Sequence, residues 1–291
     1  MRVLVTGGSG LLGGRLLELL AGHELVALRH RGEPSGPAEC LDADLARPGE
    51  TERALRACRP DAVVHAAALA DVDACERDPE AAETINARQP GELGRAAAAA
   101  GIRVVAISTD LVFDGSRPRW PPEARPRPLM RYGATKRAGE QALLEAHPAA
   151  AVVRVALLVG RGAGRRASAS EGLARAVRRG DRPCLFTDQY RTPVDPESVA
   201  LAVAALLEAP RAGGLFHAGG PERLSRFELG RRVAAAHGFD AERLVPARQA
   251  ELPLPVPRPL DVSLDSSRLE RELGWRARPL DAALREGRDL G

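Results

Sequence analysis

Short apolar runs alternate with stretches of helical spacing through the first 160 residues. Arg2–Thr6, Glu24–Leu28, Ala62–His65, Arg103–Ser108 and Ala151–Val159 are strand-length runs rich in Val, Leu and Ala. Between them, Leu11–Ala21, Glu92–Ala100 and Tyr132–His147 return apolar residues every three to four positions, the spacing of one helix face. Strands that are apolar at successive positions must be covered on both faces, and intervening helices supply the cover. The pattern predicts an α/β chain built on a doubly wound parallel sheet. Pro90 is expected to divide the helical stretch that begins near Pro79 and to start a fresh helix, because proline lacks the N–H a helix interior uses.

Beyond residue 160 the rhythm loosens. Gly160–Arg166 reads as a Gly/Arg loop, Pro196–Leu207 as a helix and Leu215–Ala218 as a short strand. Ser225–His237 reads as a helix whose Ser225 and Glu228 fit a capping box. Pro246–Pro259 carries five prolines and is expected to be extended loop. Ser266–Leu273 should be helical and end at Gly274.

Gly7-Gly8-Ser9-Gly10-Leu11-Leu12-Gly13 follows the first strand and opens the first helix. Glycine keeps such a turn tight, lets backbone approach a pyrophosphate, and lets the helix sit close to the sheet. The helix start then offers free N–H groups to phosphate. The turn marks residues 1–160 as a Rossmann domain for a nicotinamide dinucleotide, with 191–218 returning to its sheet. Residues 161–190 and 219–291 are left for a smaller C-terminal substrate lobe across a cleft. Gly7, Gly10, Leu11 and Leu12 are candidate phosphate ligands, and Ala66 and Ala67 belong to the same candidate cofactor set. Asp44 and Leu45, read as ending the third strand, would flank the adenine. The second strand ends Leu28-Arg29-His30-Arg31, where a carboxylate would bind both ribose hydroxyls. Arg29 and its basic neighbours suit a 2′-phosphate, so NADPH is the expected cofactor, with NADH admitted.

Composition narrows the classes. No run of about 18 apolar residues lacks charge, and the N-terminus opens directly on a strand, so neither a transmembrane helix nor a secretory leader is expected. The expected location is cytoplasmic. A net charge of +3, dispersed along the chain, does not suit nucleic acid. Cys40, Cys58, Cys75 and Cys184 form no C-x-x-C pair and have no histidine at ligand spacing, so reduced thiols in or near the core, and no metal, are expected.

Of 42 basic residues, 41 are Arg and one, Lys136, is Lys. It lies four residues after Tyr132, one of two tyrosines, and i,i+4 residues share a helix face. A compact amine fits beside a phenol and a ribose where a planar guanidinium does not. The cation should draw the phenol from about 10 toward neutrality. Tyr132 would then serve as proton donor and acceptor. Upstream, the strand Arg103–Ser108 leads into Thr109 and Asp110, at the end where ligands sit in such sheets. Thr109 or Ser108 can donate to a substrate carbonyl. Asn86, the sole asparagine, is read either as a link toward Lys136 or as a helix-end cap. The Arg117–Pro128 loop is read either as a solvated connection or as one wall of an anionic pocket.

The glycine turn, Ser-Thr-Asp-Leu-Val-Phe-Asp-Gly at Ser108–Gly115 and Tyr-Gly-Ala-Thr-Lys at Tyr132–Lys136 together resemble an extended short-chain dehydrogenase/reductase. Asp188–Pro193, Phe216–Pro221, Arg258-Pro259 and Leu264-Asp265 are similar to later motifs of its dTDP-4-dehydrorhamnose reductase subfamily. The resemblance implies that Thr109 and Tyr132 bind a keto oxygen, that Lys136 binds the nicotinamide ribose, and that Asp110, Arg191 and Arg258 hold substrate. The implied reaction is NADPH-dependent reduction at C4 of a nucleotide-linked 4-keto-6-deoxy sugar. Leu111 stands where the subfamily often has Tyr, so one usual sugar contact is missing. The loop Gly160–Ser170 lacks the usual Asn-Phe. A homodimer is admitted as the assembly. The alternatives are a nucleotide-sugar epimerase, or a non-catalytic NADP-binding subunit resembling the regulatory subunit of methionine adenosyltransferase.

Overall fold

The computed structural model describes residues 1–30, 32–163, 167–254 and 256–286. Arg31, Gly164–Arg166 of the expected Gly/Arg loop and Pro255 lie outside them. The first half runs β1 (Arg2–Thr6), α1 (Leu11–Leu19), β2 (Glu24–Arg29), β3 (Glu39–Asp42), α2 (Glu50–Cys58), β4 (Ala62–His65), α3 (Val72–Arg77), α4 (Pro79–Glu83), α5 (Gln89–Ala100), β5 (Arg103–Thr109), α6 (Arg131–Ala146) and β6 (Ala151–Val155). The second runs α7 (Ala169–Arg178), β7 (Cys184–Phe186), β8 (Tyr190–Arg191), α8 (Pro196–Glu208), β9 (Gly214–Ala218), β10 (Leu224–Ser225), α9 (Arg226–His237), β11 (Val245–Ala247), α10 (Ser267–Leu273) and α11 (Leu280–Glu286). Seven strands form one parallel sheet in the order β3-β2-β1-β4-β5-β6-β9. The fold is the expected Rossmann-like α/β arrangement, and its strand order reverses between β1 and β4, where such sheets open a crevice.

Alternation along each strand divides the apolar side chains between two cores. Val3, Val5, Val64, Val105 and Val153 face α1 and α8, against Leu16, Leu17, Val203 and Leu206. Leu4, Val63, Val104 and Val152 face the other way, onto Leu55 of α2, Leu93 of α5 and Leu143 of α6. Both faces are dry, which is why these strands read as continuous apolar runs. Leu16→Ala, in a fully buried position, would cost about 2–5 kcal/mol.

Three expectations are corrected. Pro90 does not start a fresh helix: α4, a π-helical turn at Thr84–Arg88 and α5 run on with helical backbone at the joins. The wide turn falls where Pro90 cannot donate to the carbonyl four residues back, that of Asn86. Pro246 is not in loop but in β11, which pairs with β7, and Gln249–Glu251 forms a single 3₁₀ turn. An edge strand tolerates the missing donor. Of the four thiols only Cys58 and Cys75 are buried; Cys40 and Cys184 are exposed.

β9 joins the sheet beside β6, and α10 packs on β9 and α8. α7, α9 and α11 pack together around Val159, Leu229, Val233 and Leu284, with the small β7–β11 pair beside them. Among the described residues no helix is long and apolar enough to cross a membrane.

Candidate active site

α6 carries Tyr132 and Lys136 to the C-terminal edge of the sheet, and two glycines set how closely it approaches. A Cβ on Gly133 would lie 2.1 Å from the Leu111 carbonyl, and one on Gly139 2.1 Å from the Asn86 carbonyl. The helix is thereby held between the 3₁₀ turn Asp110–Val112, which follows β5, and the π turn of Thr84–Arg88. Lys136 is buried, and its Nζ donates to the Ile107 carbonyl at 2.8 Å.

Burial pushes the Tyr132 phenol above its ordinary value; a hydrogen bond with Thr109 opposes the rise and Asp110 adds to it. Burial also lowers Lys136, to about 8, with Glu140 opposing. The expected fall of Tyr132 toward neutrality is therefore corrected, because burial disfavours the charged form of each group. The result is a phenol that keeps its proton, beside an amine that titrates near pH 8.

Successive strand residues point to opposite faces, which separates the two hydroxyls at the end of β5. Ser108 donates to Glu140 at 2.6 Å, away from Tyr132. Thr109 lies on the Tyr132 side, bonded to Asp110 at 3.2 Å. Asn86 is no helix-end cap. Its side chain accepts from the Leu69 N–H at 2.9 Å, donates to the Leu69 carbonyl at 3.0 Å and reaches Thr135 Oγ1 at 3.3 Å. It thus ties the loop after β4 to α6, one residue from Lys136.

Behind Lys136 lies a group that sequence reading missed. Arg154 of β6, fully buried, grips both oxygens of Glu140 at 2.8 and 2.7 Å and also donates to the Pro122 carbonyl at 3.1 Å. Glu140 stands four residues after Lys136 and is buried too. The spacing was visible in sequence, but only β6 supplies the partner.

At the cofactor end, Gly7 adopts φ +76° and abuts the Ala66–Ala67 backbone, and a Cβ on Gly13 would lie 2.0 Å from the Gly7 carbonyl. α1 starts at Gly10 with no side-chain cap and no acidic residue in its first turn. By contrast α3, α4, α7, α8 and α9 are each closed by Asp71, Asp78, Ser168, Asp195 or Ser225. An open, positively polarised helix end with close-approach glycines fits a dinucleotide pyrophosphate at Gly10, Leu11 and Leu12.

β3 ends at Asp42, so Asp44 and Leu45 lie in the following turn rather than on the strand. Asp44 accepts from the Ala46 N–H at 3.1 Å and faces His30 at 3.5 Å. Arg29 is the residue expected to suit a 2′-phosphate. It is forked onto Asp42 at 2.7 and 2.9 Å and reaches Glu33 at 3.2 Å, so carboxylates do stand at this strand end. They come from β3 and the next loop, which the run Leu28–Arg31 did not reveal.

Arg191 and Asp110, the residues expected to hold substrate, are brought together and pair at 2.8 Å, both buried, directly beside Thr109. Burial raises the Asp110 carboxyl, and Arg191 pulls against that rise. Arg258 lies toward α3 and α6, donating to Asp73 at 3.1 Å and touching Met130 Sδ at 3.2 Å. Trp120, stacked on Phe113 and bonded to the Asp261 carbonyl, anchors the Arg117–Pro128 loop, while Arg117, Arg119, Arg125 and Arg127 are exposed. These four arginines favour the solvated-connection reading.

The whole arrangement is that of an extended short-chain dehydrogenase/reductase. The chain belongs to the family described as RmlD substrate binding domain, which matches residues 1–289. It is 34% identical over 271 residues to dTDP-4-dehydrorhamnose reductase of Mycobacterium tuberculosis, covering 88% of this chain and 82% of that one. It is 31% identical over 274 residues to methionine adenosyltransferase 2 subunit beta of Pongo abelii, covering 92% and 81%. A crystal structure of a dTDP-4-dehydrorhamnose reductase from Clostridium acetobutylicum superposes with a TM-score of 0.87 at 26% identity, covering 100% of this chain and 99% of that one.

Proposed function

We propose that this protein is an NADPH-dependent reductase of the C4 keto group of a nucleotide-linked 4-keto-6-deoxy sugar. The observation that carries the reading is a proton-retaining Tyr132 beside Thr109, with the chain's single lysine one helical turn away. Bound NADPH supplies a hydride. Tyr132 donates its proton to the carbonyl oxygen, and Thr109 donates a hydrogen bond to the same oxygen. Lys136, held by the Ile107 carbonyl, has remaining N–H donors for the cofactor ribose and keeps positive charge near the phenol. Gly7, Gly10, Leu11 and Leu12 would receive the pyrophosphate, Ala66 and Ala67 the middle of the cofactor, and Arg29, Asp44 and Leu45 the adenosine end. Arg29 shares its charge with Asp42 and Glu33, so the preference for NADPH over NADH is modest. Asp110, Arg191 and Arg258 line the substrate side, and residues 161–190 and 219–291 form the substrate lobe.

NADPH consumption measured against a panel of nucleotide-linked 4-keto sugars tests the reading, and turnover with none of them would refute it. The likeness to a methionine adenosyltransferase subunit supports a second reading, a non-catalytic NADP-binding subunit. Under that reading a Tyr132→Phe variant keeps the protein's whole biological effect.

A further inference from the structure

The buried ion pair behind Lys136 takes no part in the proton and hydride transfers. Arg154 of β6 is fully buried, and its Nε and Nη2 close on both oxygens of Glu140 at 2.8 and 2.7 Å. Ser108 donates to the same carboxylate at 2.6 Å. The remaining Arg154 amine donates to the Pro122 carbonyl and lies 3.4 Å from His217 Nε2. Such a pair is a poor stability device, because both charges leave water and apolar residues of similar volume often hold a fold as well. Its place distinguishes it. Glu140 stands four residues after Lys136, so the two share one face of α6. Both, with Ser108 and His65, line a cavity of about 10 Å³, the room of roughly one water.

Among the described residues Glu140 is the only carboxylate on that cavity; the π turn and α5 bring Asn86 and Pro90, which carry no charge. The other titratable groups around Tyr132 and Lys136 are neutral or already paired. The Tyr132 phenol is raised by burial. His65 of β4 bonds Thr6 at 2.8 Å, and burial and Lys136 push it down to about 3. Cys75 of α3, bonded to the Leu69 carbonyl, is raised to about 11 by burial. Asp110 is paired with Arg191, and Glu76 of α3 with Arg131 at the start of α6. Arg154 is spent on Glu140, and the part-exposed Arg137 lies 3.7 Å from the same carboxylate. Burial favours the neutral form of Lys136, and Glu140 alone is seen to oppose it, leaving the amine at about 8.

We infer that Glu140, fixed by Arg154 and Ser108, is a positioning residue that acts through Lys136: its carboxylate is the counter-charge that keeps the buried ammonium protonated at neutral pH. The inference rests on the reductase reading for the use made of that charge, which is to keep a cation beside Tyr132 and donors toward the cofactor ribose. It gives the buried arginine a task as well. Two parallel guanidinium donors and one hydroxyl hold the carboxylate in a single orientation, facing the lysine across the small cavity.

Lys136 is the chain's single lysine, so protein labelled with lysine carrying ¹³C at Cε gives one side-chain signal. Its NMR titration reads this amine directly, with neither cofactor nor substrate present. The variants are Glu140→Gln and the double variant Glu140→Gln, Arg154→Met, in which no buried charge is left while the amide still accepts from Ser108. The parent midpoint should lie at about 8. A neighbouring opposite charge moves a midpoint by about 1–3 pH units, so both variants should titrate at least about one pH unit lower. kcat/KM at pH 8 should then fall about fivefold relative to its value at pH 6. Glu140→Gln alone leaves a buried cation unpaired and should lower the melting temperature, and the double variant should recover it. A merely structural role moves the signal the other way: a loosened fold admits water and returns the lysine toward about 10.4. An unchanged or raised midpoint in the double variant would overturn the inference. Failure of the reductase reading is seen separately: no keto sugar then consumes NADPH, while the Lys136 signal still shifts between parent and variants.

Discussion

Helices α1 and α9 begin in opposite ways. α1 starts on Gly10 with nothing across its first turn. α9 is closed by Ser225 and Glu228, each bonding the other's backbone. At α1 the positive field comes from backbone, roughly half a charge fixed in place. At α9 the backbone is satisfied, and a full charge is carried instead by a side chain, Arg226. The difference shows why one end was legible early. Backbone recognition requires glycine at set spacings, whereas a side-chain cation is one arginine among 41 until its surroundings are known.

The side chains of α6, which neither helix start supplies, should give the largest effect. Tyr132→Phe removes the proton source, so kcat should fall about 10²- to 10⁴-fold in steady-state kinetics, while NADPH affinity measured by calorimetry is unchanged. Lys136→Arg should fold and lose most activity for want of space, and near-normal turnover by either variant would remove the catalytic assignment.

Next comes the backbone-built end. Gly13→Ala places a Cβ 2.0 Å from the Gly7 carbonyl, so the turn must open. NADPH affinity should drop on the order of 100-fold, as several phosphate bonds are lost together. Ser225→Ala at the closed helix is the matching control. It should cost about 1 kcal/mol in denaturant unfolding and leave NADPH affinity alone. Equal cofactor loss in both variants would erase the contrast between the two helix starts.

The pH profile sharpens the contrast, because a helix end does not titrate and Lys136 does. With its folded value lowered to about 8, the amine loses its charge as pH rises through 8. kcat/KM should then fall about tenfold per unit above that pH, and the limb should vanish in Lys136→Arg. The stability effect has the opposite sign. Between pH 8 and about 10.4 the unfolded chain holds a proton the folded chain has released, so stability should rise with pH across that window. Lys136→Met should flatten the rise.

The smallest effect belongs to Arg29. Its pairs with Asp42 and Glu33 are largely exposed, so Arg29→Ala should leave stability nearly unchanged in denaturant unfolding. It should narrow the NADPH-over-NADH affinity gap a few-fold, while Asp42→Asn, which frees the guanidinium, should widen it. No response to either change would detach cofactor choice from this strand end.

The sequence by itself determined the sheet, the glycine turn and the Tyr132–Lys136 helix. Each depends on local spacing: strand-length apolar runs and period-3.6 burial, glycine where backbone must come close, and two residues one turn apart. Tertiary structure alone decided who partners whom. Arg154 and Glu140 meet because β6 lies beneath α6; Arg29 meets Asp42 because β3 lies beside β2. It also decided the protonation balance, because the i,i+4 spacing by itself says nothing of how far each group is buried. Burial in this fold raises the Tyr132 phenol and lowers the Lys136 amine, moving both away from their charged forms.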